Sequence, residues 1–245
     1  LALADPSLLS ELFSYRFEAA DVSGHSLGNL LIAALADLTG DFTHALDVAN
    51  DLLGGHGRVL PAAAERKVLD ATIDGRHVQG QDAIQHAPGT IEELRLLPAG
   101  GEAHREVVDA ILRADQVVMA PGSLYTSLLA ALLAPGVANA VNATSAPVVW
   151  VSNLCTQIEE TRGMTGVDHL AAMETIGGIR AGGTIIIDRG EFPVPEDIDR
   201  LTVDMVEALE YGWALCEAEV AEPSMSWPAH DPIKLGRVLA DFARH

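Results

Sequence analysis

Cysteine is nearly missing from this chain: two residues in 245, Cys155 and Cys216, both in apolar company. That scarcity excludes a disulfide framework, and the thiols are expected as reduced core residues of a cytosolic protein. Basic side chains are scarce too. Against 35 Asp and Glu stand 15 Lys and Arg, a net charge of −20. Such a surface repels nucleic acid and anionic lipid, so neither is expected as a partner. It does not exclude a small anionic ligand, because backbone N–H groups bind anions without net positive charge. No apolar run reaches the roughly 18 to 20 residues of a membrane helix, so no membrane insertion is expected, and no signal peptide is visible. The nine histidines show no His-Glu-x-x-His spacing, so no metal site is expected. Internal repeats, low-complexity linkers and a Walker loop are absent as well.

What is present is the composition of a globular chain, 49% hydrophobic and 20% charged. The first 56 residues read as helices. Asp5 and Pro6 open a segment with Leu8, Leu9, Leu12 and Phe13 on one face, and "SLGNLLIAALADLTG" spaces Leu27, Leu30, Leu31, Ala34 and Leu35 helically. Asp41 caps "FTHALDVANDLL". Residues 57–245 read as sheet-forming, with no clear domain boundary between the two sections. "VLDATIDGRHVQGQDAI" predicts a hairpin turning at Asp74-Gly75, and "TIEELRLLP" a further strand. Then helices alternate with the short apolar strands "QVVMA", "PVVWVSN" and "TIIID". A helix over "PEDIDRLTVDMVEAL" and another over "KLGRVLADFARH" follow. This order signals βαβ units: a Rossmann-like α/β fold with a mostly parallel sheet in a three-layer αβα arrangement, a helical section and an inserted β-hairpin. Val117, Val118, Val149 and Ile186 are expected on central strands, covered on both faces.

In such sheets ligands bind at the carboxyl ends of strands. "VVMAPGSLYTS" has the layout of a strand, a turn and a helix start. There Gly122 allows close backbone approach, and Ser123 caps the helix or bonds an anion. No acidic residue stands beside this turn in the sequence. "GHSLG", residues 24–28, matches the Gly-x-Ser-x-Gly elbow of serine hydrolases, but no apolar strand precedes it, so the hydrolase reading of Ser26 is expected to fail, with no strained elbow to expose it. His25 and Asn29 lie one helical turn apart with reach to a ligand. Asp168-His169 and His230-Asp231 could orient a base, yet each also reads as a helix N-terminus.

Together "LFSYRFEAADVSGHSLGNLLIAAL", "TGDFTHAL", "GRVLPA", "APGSLYTSLL" and "VSNLCTQIEETRGMTGVDH" resemble, in this order, the gluconeogenesis-factor (YvcK) proteins of the CofD-like superfamily. The resemblance runs over about residues 1 to 195. It implies one cytoplasmic CofD-like domain that binds a nucleotide or nucleotide-sugar of the UDP-N-acetylglucosamine type. Its implied role is regulatory, linking carbon metabolism to cell-wall precursor supply and cell shape, with no catalytic residue. The ligand residues implied are His25, Asn29, Gly122, Ser123, Tyr125, Thr126, Asn153 and Gln157. The alternative is a CofD-type transferase moving a phospholactyl group from a guanine-nucleotide donor to a deazaflavin. Only that reading calls for a cofactor, Mg²⁺, and it needs carboxylates in the cleft to hold the cation. The resemblance admits a homodimer and names no protein partner. Family members begin with a strand, a Gly-rich turn and a second strand, so the sequence, which opens at Leu1 without a methionine, is expected to be a fragment lacking that segment. Within the shared motifs the chain departs at Ala120, at Ala130 and Ala131, at Ile158 and Glu159, and at Ala229, which stands where a basic residue is usual.

Overall fold

The computed structural model describes residues 7–17, 24–180 and 182–243. Two compact units divide it, Leu1–Pro61 and Ala62–His245, the division falling inside "GRVLPA". Within the first unit, α1 (Leu8–Ser14) starts at a capping box. Ser7 Oγ accepts from the Ser10 N–H at 3.1 Å while Ser10 Oγ accepts from the Ser7 N–H at 2.9 Å. The expected cap Asp5 and Pro6 lie outside the described residues. Of the four residues expected on the inner face only Phe13 is buried; Leu8, Leu9 and Leu12 are exposed. α2 (Leu27–Thr39) ends at Gly40, which takes φ +68°. Its inner stripe follows Gly28, Ile32 and Leu35 instead of Leu31, which is 37% exposed. Gly28 sets that register: a Cβ there would stand 2.7 Å from the Phe13 carbonyl oxygen. α3 (Phe42–Leu52) is capped by Asp41, as expected, and buries Ala45 and Ala49.

The second unit carries two sheets. β1 (Val68–Ile73) turns at Asp74-Gly75 into β2 (Arg76–Gln79), and both turn residues have positive φ, 45° and 73°. A short α4 (Gln81–Gln85) follows, and β3 (Ile91–Leu97) pairs on the other side of β1, giving the antiparallel order β2-β1-β3. After α5 (Arg105–Arg113) the chain enters β4 (Val117–Met119). A π-helix over Leu124–Leu129 comes next and runs into α6 (Ala130–Leu132). The remaining elements are α7 (Val137–Ala143), β5 (Val148–Val151), α8 (Gly166–Thr175), β6 (Gly183–Asp188), α9 (Met205–Glu210), β7 (Trp213–Ala218) and α10 (Pro232–Phe242). Strands β4-β5-β6-β7 form a parallel sheet in chain order.

Strand alternation builds the layers. Val148, Trp150 and Ile185 face the main core with Leu170 and Met173 of α8 and Ala208 of α9. Val149, Val151 and Ile186 face the opposite way, onto Leu235, Val238, Leu239 and Phe242 of α10. Helices on both faces of a parallel sheet make this a Rossmann-like α/β fold.

Three expectations need correction. β4 pairs only with β5 among the described residues, so it is an edge strand and Val118 is 38% exposed, whereas Val149 and Ile186 are buried as expected. Of the helix expected over "PEDIDRLTVDMVEAL" only α9 forms. The backbone of Asp199 and Leu201 instead bonds to Thr156 and Leu154, and Asp204 starts the helix by accepting from the Glu207 N–H. Strand β7 was not expected. Among the described residues no single helix is long and apolar enough to cross a membrane.

Candidate functional site

The carboxyl ends of β4 and β5 meet in a cleft of about 420 Å³. After β4 the chain turns through Pro121-Gly122, and after β5 it runs through Asn153 to Glu159. Asn153 clasps the turn at two points. Its Oδ1 accepts from the Gly122 N–H at 2.9 Å and its Nδ2 donates to the Gly122 carbonyl at 2.8 Å. Next in the segment, Gln157 Nε2 donates to Ser123 Oγ at 3.2 Å. The other end of the amide, Oε1, is buried without a hydrogen-bond partner among the described residues. Either orientation of the amide leaves one end unpaired, on a residue that lines the cleft. Ser123 accepts from Gln157, which leaves its own proton to donate.

The helix after the turn differs from the expected free N-terminus. Ser123 makes no side-chain cap; its carbonyl accepts from the N–H groups of both Ser127 and Leu128, the latter closing a π turn. The carboxylate of Glu160 accepts from the Tyr125 N–H at 3.0 Å and from the Thr126 hydroxyl. The negative charge that a helix start favours is thus the chain's own, brought by the segment after β5. Sequence spacing alone could not show it, since Glu160 is 34 residues beyond Thr126. Thr161, fully buried, locks that segment by accepting from the Gln157 N–H at 2.8 Å.

The residues expected at a ligand therefore separate. Gly122, Ser123, Asn153 and Gln157 are brought together. Tyr125 and Thr126 are buried against Glu160, and the Tyr125 hydroxyl points to Met164 Sδ. Burial, then the Glu160 and Asp168 charges, push the Tyr125 phenol above its ordinary pKa. His25 and Asn29 belong to the first unit. The helix begins only at Leu27, so His25 lies outside it and the two do not share a helical face. Asn29 lines a cavity of about 250 Å³ there, with Phe13, Ile32 and Asn50. Ser26 is a helix cap: its Oγ accepts from the Asn29 N–H at 3.1 Å, and its extended backbone (φ −79°) is not a strained elbow.

Asp231 likewise caps a helix, and Asp168 closes the capping box of α8, its carboxylate accepting from the N–H of the cap residue Thr165 at 2.7 Å. Their neighbours differ. His169 is buried, stacks on Trp150 and bonds the Thr165 carbonyl through Nδ1, so it is a core residue. His230 lines the cleft. Burial lowers its pKa, opposed by the Asp188 charge and a backbone hydrogen bond at Ser152. Cys155 also lines the cleft, its thiol pushed up by burial, with Arg200 opposing. Arg200 itself holds the buried Asp188 at 2.9 Å, and Asp188 accepts from the Val220 and Ala221 N–H groups, tying the ends of β6 and β7 together.

Comparison with known proteins agrees with this geometry. The family model described as 2-phospho-L-lactate transferase CofD matches residues 1–210. The chain belongs to the CofD family. Among its relatives is the gluconeogenesis factor of Bacillus subtilis, 33% identical over 99% of this chain and 80% of that protein. A Nostoc sp. relative is 36% identical over 97% of this chain, which spans 55% of the relative's length. A crystal structure of a Bacillus halodurans protein superposes with a TM-score of 0.88 at 32% identity, covering 98% of this chain and 80% of that one. This chain is thus similar both to a family model named for transfer chemistry and to proteins named for gluconeogenesis. Where a transferase would hold a divalent cation, this cleft offers Glu159, while Glu160 is engaged by Tyr125 and Thr126. No group of three His, Cys, Asp or Glu side chains is placed to hold a metal among the described residues. These residues do not fit a cation site.

Proposed function

We propose that this chain is a cytoplasmic, nucleotide-sugar-binding regulator, a gluconeogenesis factor that responds to UDP-N-acetylglucosamine and so links carbon metabolism to cell-wall precursor supply and cell shape. The observation that carries the reading is Gln157. A buried amide end without a partner costs free energy, and a turn of the side chain into the cleft would let a ligand supply the missing bond. Gly122, Ser123 and Asn153 surround it with uncharged polar groups, suited to a phosphate or a sugar. Gly122 leaves room for approach: an added Cβ would meet only Ser127 Cβ, at 3.9 Å. His25, Asn29, Tyr125 and Thr126 remain ligand residues of this proposal through the family resemblance.

Calorimetric titration and thermal shift with UDP-N-acetylglucosamine test it. Binding at a hundredfold excess over Kd should add about 2.7 kcal/mol of stability. Ser123→Ala should weaken binding by roughly tenfold to a hundredfold, the worth of a hydrogen bond to a charged group, and should lower the unliganded stability by about 1 to 3 kcal/mol, because Gln157 Nε2 loses its acceptor. Gly122→Val should abolish it. The family model's description favours a second reading, a phospholactyl transferase using a guanine-nucleotide donor and a deazaflavin. Product formed with Mg²⁺ present would establish that reading and overturn the first.

A further inference from the structure

Trp150 and Trp213 are buried, 2% and 3% exposed, but Trp227 is 59% exposed and lines the cleft at the strand ends. Its position is fixed by the loop that carries it. The Glu222 N–H donates to the Ala229 carbonyl at 2.8 Å, the Asp231 N–H to the Val220 carbonyl at 2.8 Å, and Ala221 bridges His230. Glu222 also accepts from both the N–H and the hydroxyl of Ser224. A large ring is thus offered to solvent at a concave site. Leu154, Cys155 and Ile198 pack into one apolar cluster and line the same cleft. The polar groups, Gly122, Asn153 and Gln157, belong to the β4 and β5 loops. Such a lining suits a ligand with a flat apolar face and a polar remainder. A nucleobase has such a face on both sides of a planar ring, whereas a pyranose offers only the C–H patch between its rim of equatorial hydroxyls, so the base covers more of the indole and of Leu154 and Ile198.

We propose that Trp227 is the stacking platform for the nucleobase of the bound nucleotide, a role that rests on the nucleotide-binding reading above. UMP and N-acetylglucosamine 1-phosphate separate the two halves of the ligand. UMP should quench the fluorescence of the exposed indole in the wild-type chain. Trp227→Ala should weaken UMP by roughly tenfold to a hundredfold, the range of a base–aromatic stack, and Trp227→Phe should retain most of the affinity. The sugar phosphate should bind wild type and Trp227→Ala alike; where it binds neither, the UMP comparison decides. With so exposed a side chain, the unliganded melting temperature should stay within about 2 °C of wild type. Equal UMP affinity in wild type and Trp227→Ala overturns the stacking role while leaving the nucleotide reading intact. Equal loss of UMP and sugar phosphate overturns it too, by making Trp227 a general support of the cleft. If the wild type binds neither UMP nor UDP-N-acetylglucosamine, both proposals fall together.

Discussion

At the scale of single residues, Glu160 carries the largest departure from what the sequence announces. It looks like one more acid in an acidic chain, yet it satisfies the Tyr125 N–H and the Thr126 hydroxyl in a half-buried setting. Replacing it with Ala leaves the buried Thr126 hydroxyl unpaired and should cost about 1.5 to 3 kcal/mol, read as a lower denaturant midpoint at unchanged m-value. An unchanged midpoint would show that water replaces the carboxylate without loss. His169 gives a second test through pH. Burial holds its imidazole neutral in the fold, with a pKa below the ordinary 6.5. As pH falls through about 6.5 the unfolded chain takes up a proton that the folded chain refuses, so stability present above that pH declines toward the lowered folded value. His230, also lowered, adds to the same slope. Melting temperatures of wild type and His169→Gln between about pH 5 and 8 should converge on the acid side; parallel curves would remove His169 as a source of the slope. The clasp of Asn153 on Gly122 and the Gln157–Ser123 bond join residues that the motifs had already singled out. Their partners are more than 30 residues away, so the motifs could name them but not pair them.

Among elements, the legible ones were those with a local cause. The Asp74-Gly75 hairpin, the cap of α3 by Asp41, the all-apolar β5 and the isoleucine run at residues 185–187 of β6 each follow from side chains a few positions apart. The misread ones answer to distant chain. Residues 199–201 were diverted from a helix by bonds to the segment after β5. β7 escaped notice because its apolar run, Trp213 to Cys216, is short and follows a helical pattern directly, with only Gly212 between. On α2, the close approach of Gly28 to Phe13 rotated the inner face away from Leu31. The sheet order predicts its own dynamics. Amides of Val149, Val151 and Ile186 should be among the slowest in the chain to exchange, while Val118 on the edge strand should exchange faster by at least about tenfold. Equal protection of β4 and β5 would mean that the open side of β4 is covered in solution.

For the whole molecule, the charge of −20 sets the long-range field around a cleft that no Lys or Arg lines among the described residues. A phosphate-bearing ligand approaches against that field. Screening should help it: UDP-N-acetylglucosamine affinity should hold or rise between about 20 and 300 mM NaCl, as the Debye length shortens from above 20 Å to below 10 Å. A steep fall with salt would instead assign the phosphate to basic residues elsewhere in the chain. The Asn153 clasp bears on how fast such a ligand is captured. Because both backbone groups of Gly122 are already tethered to the loop after the neighbouring strand, the β4 side of the cleft has no slow ordering step to complete on encounter. In stopped-flow mixing the observed rate should then climb in proportion to ligand concentration without reaching a plateau. In Asn153→Ala that rate should level off, as reordering of the released turn becomes the slower event.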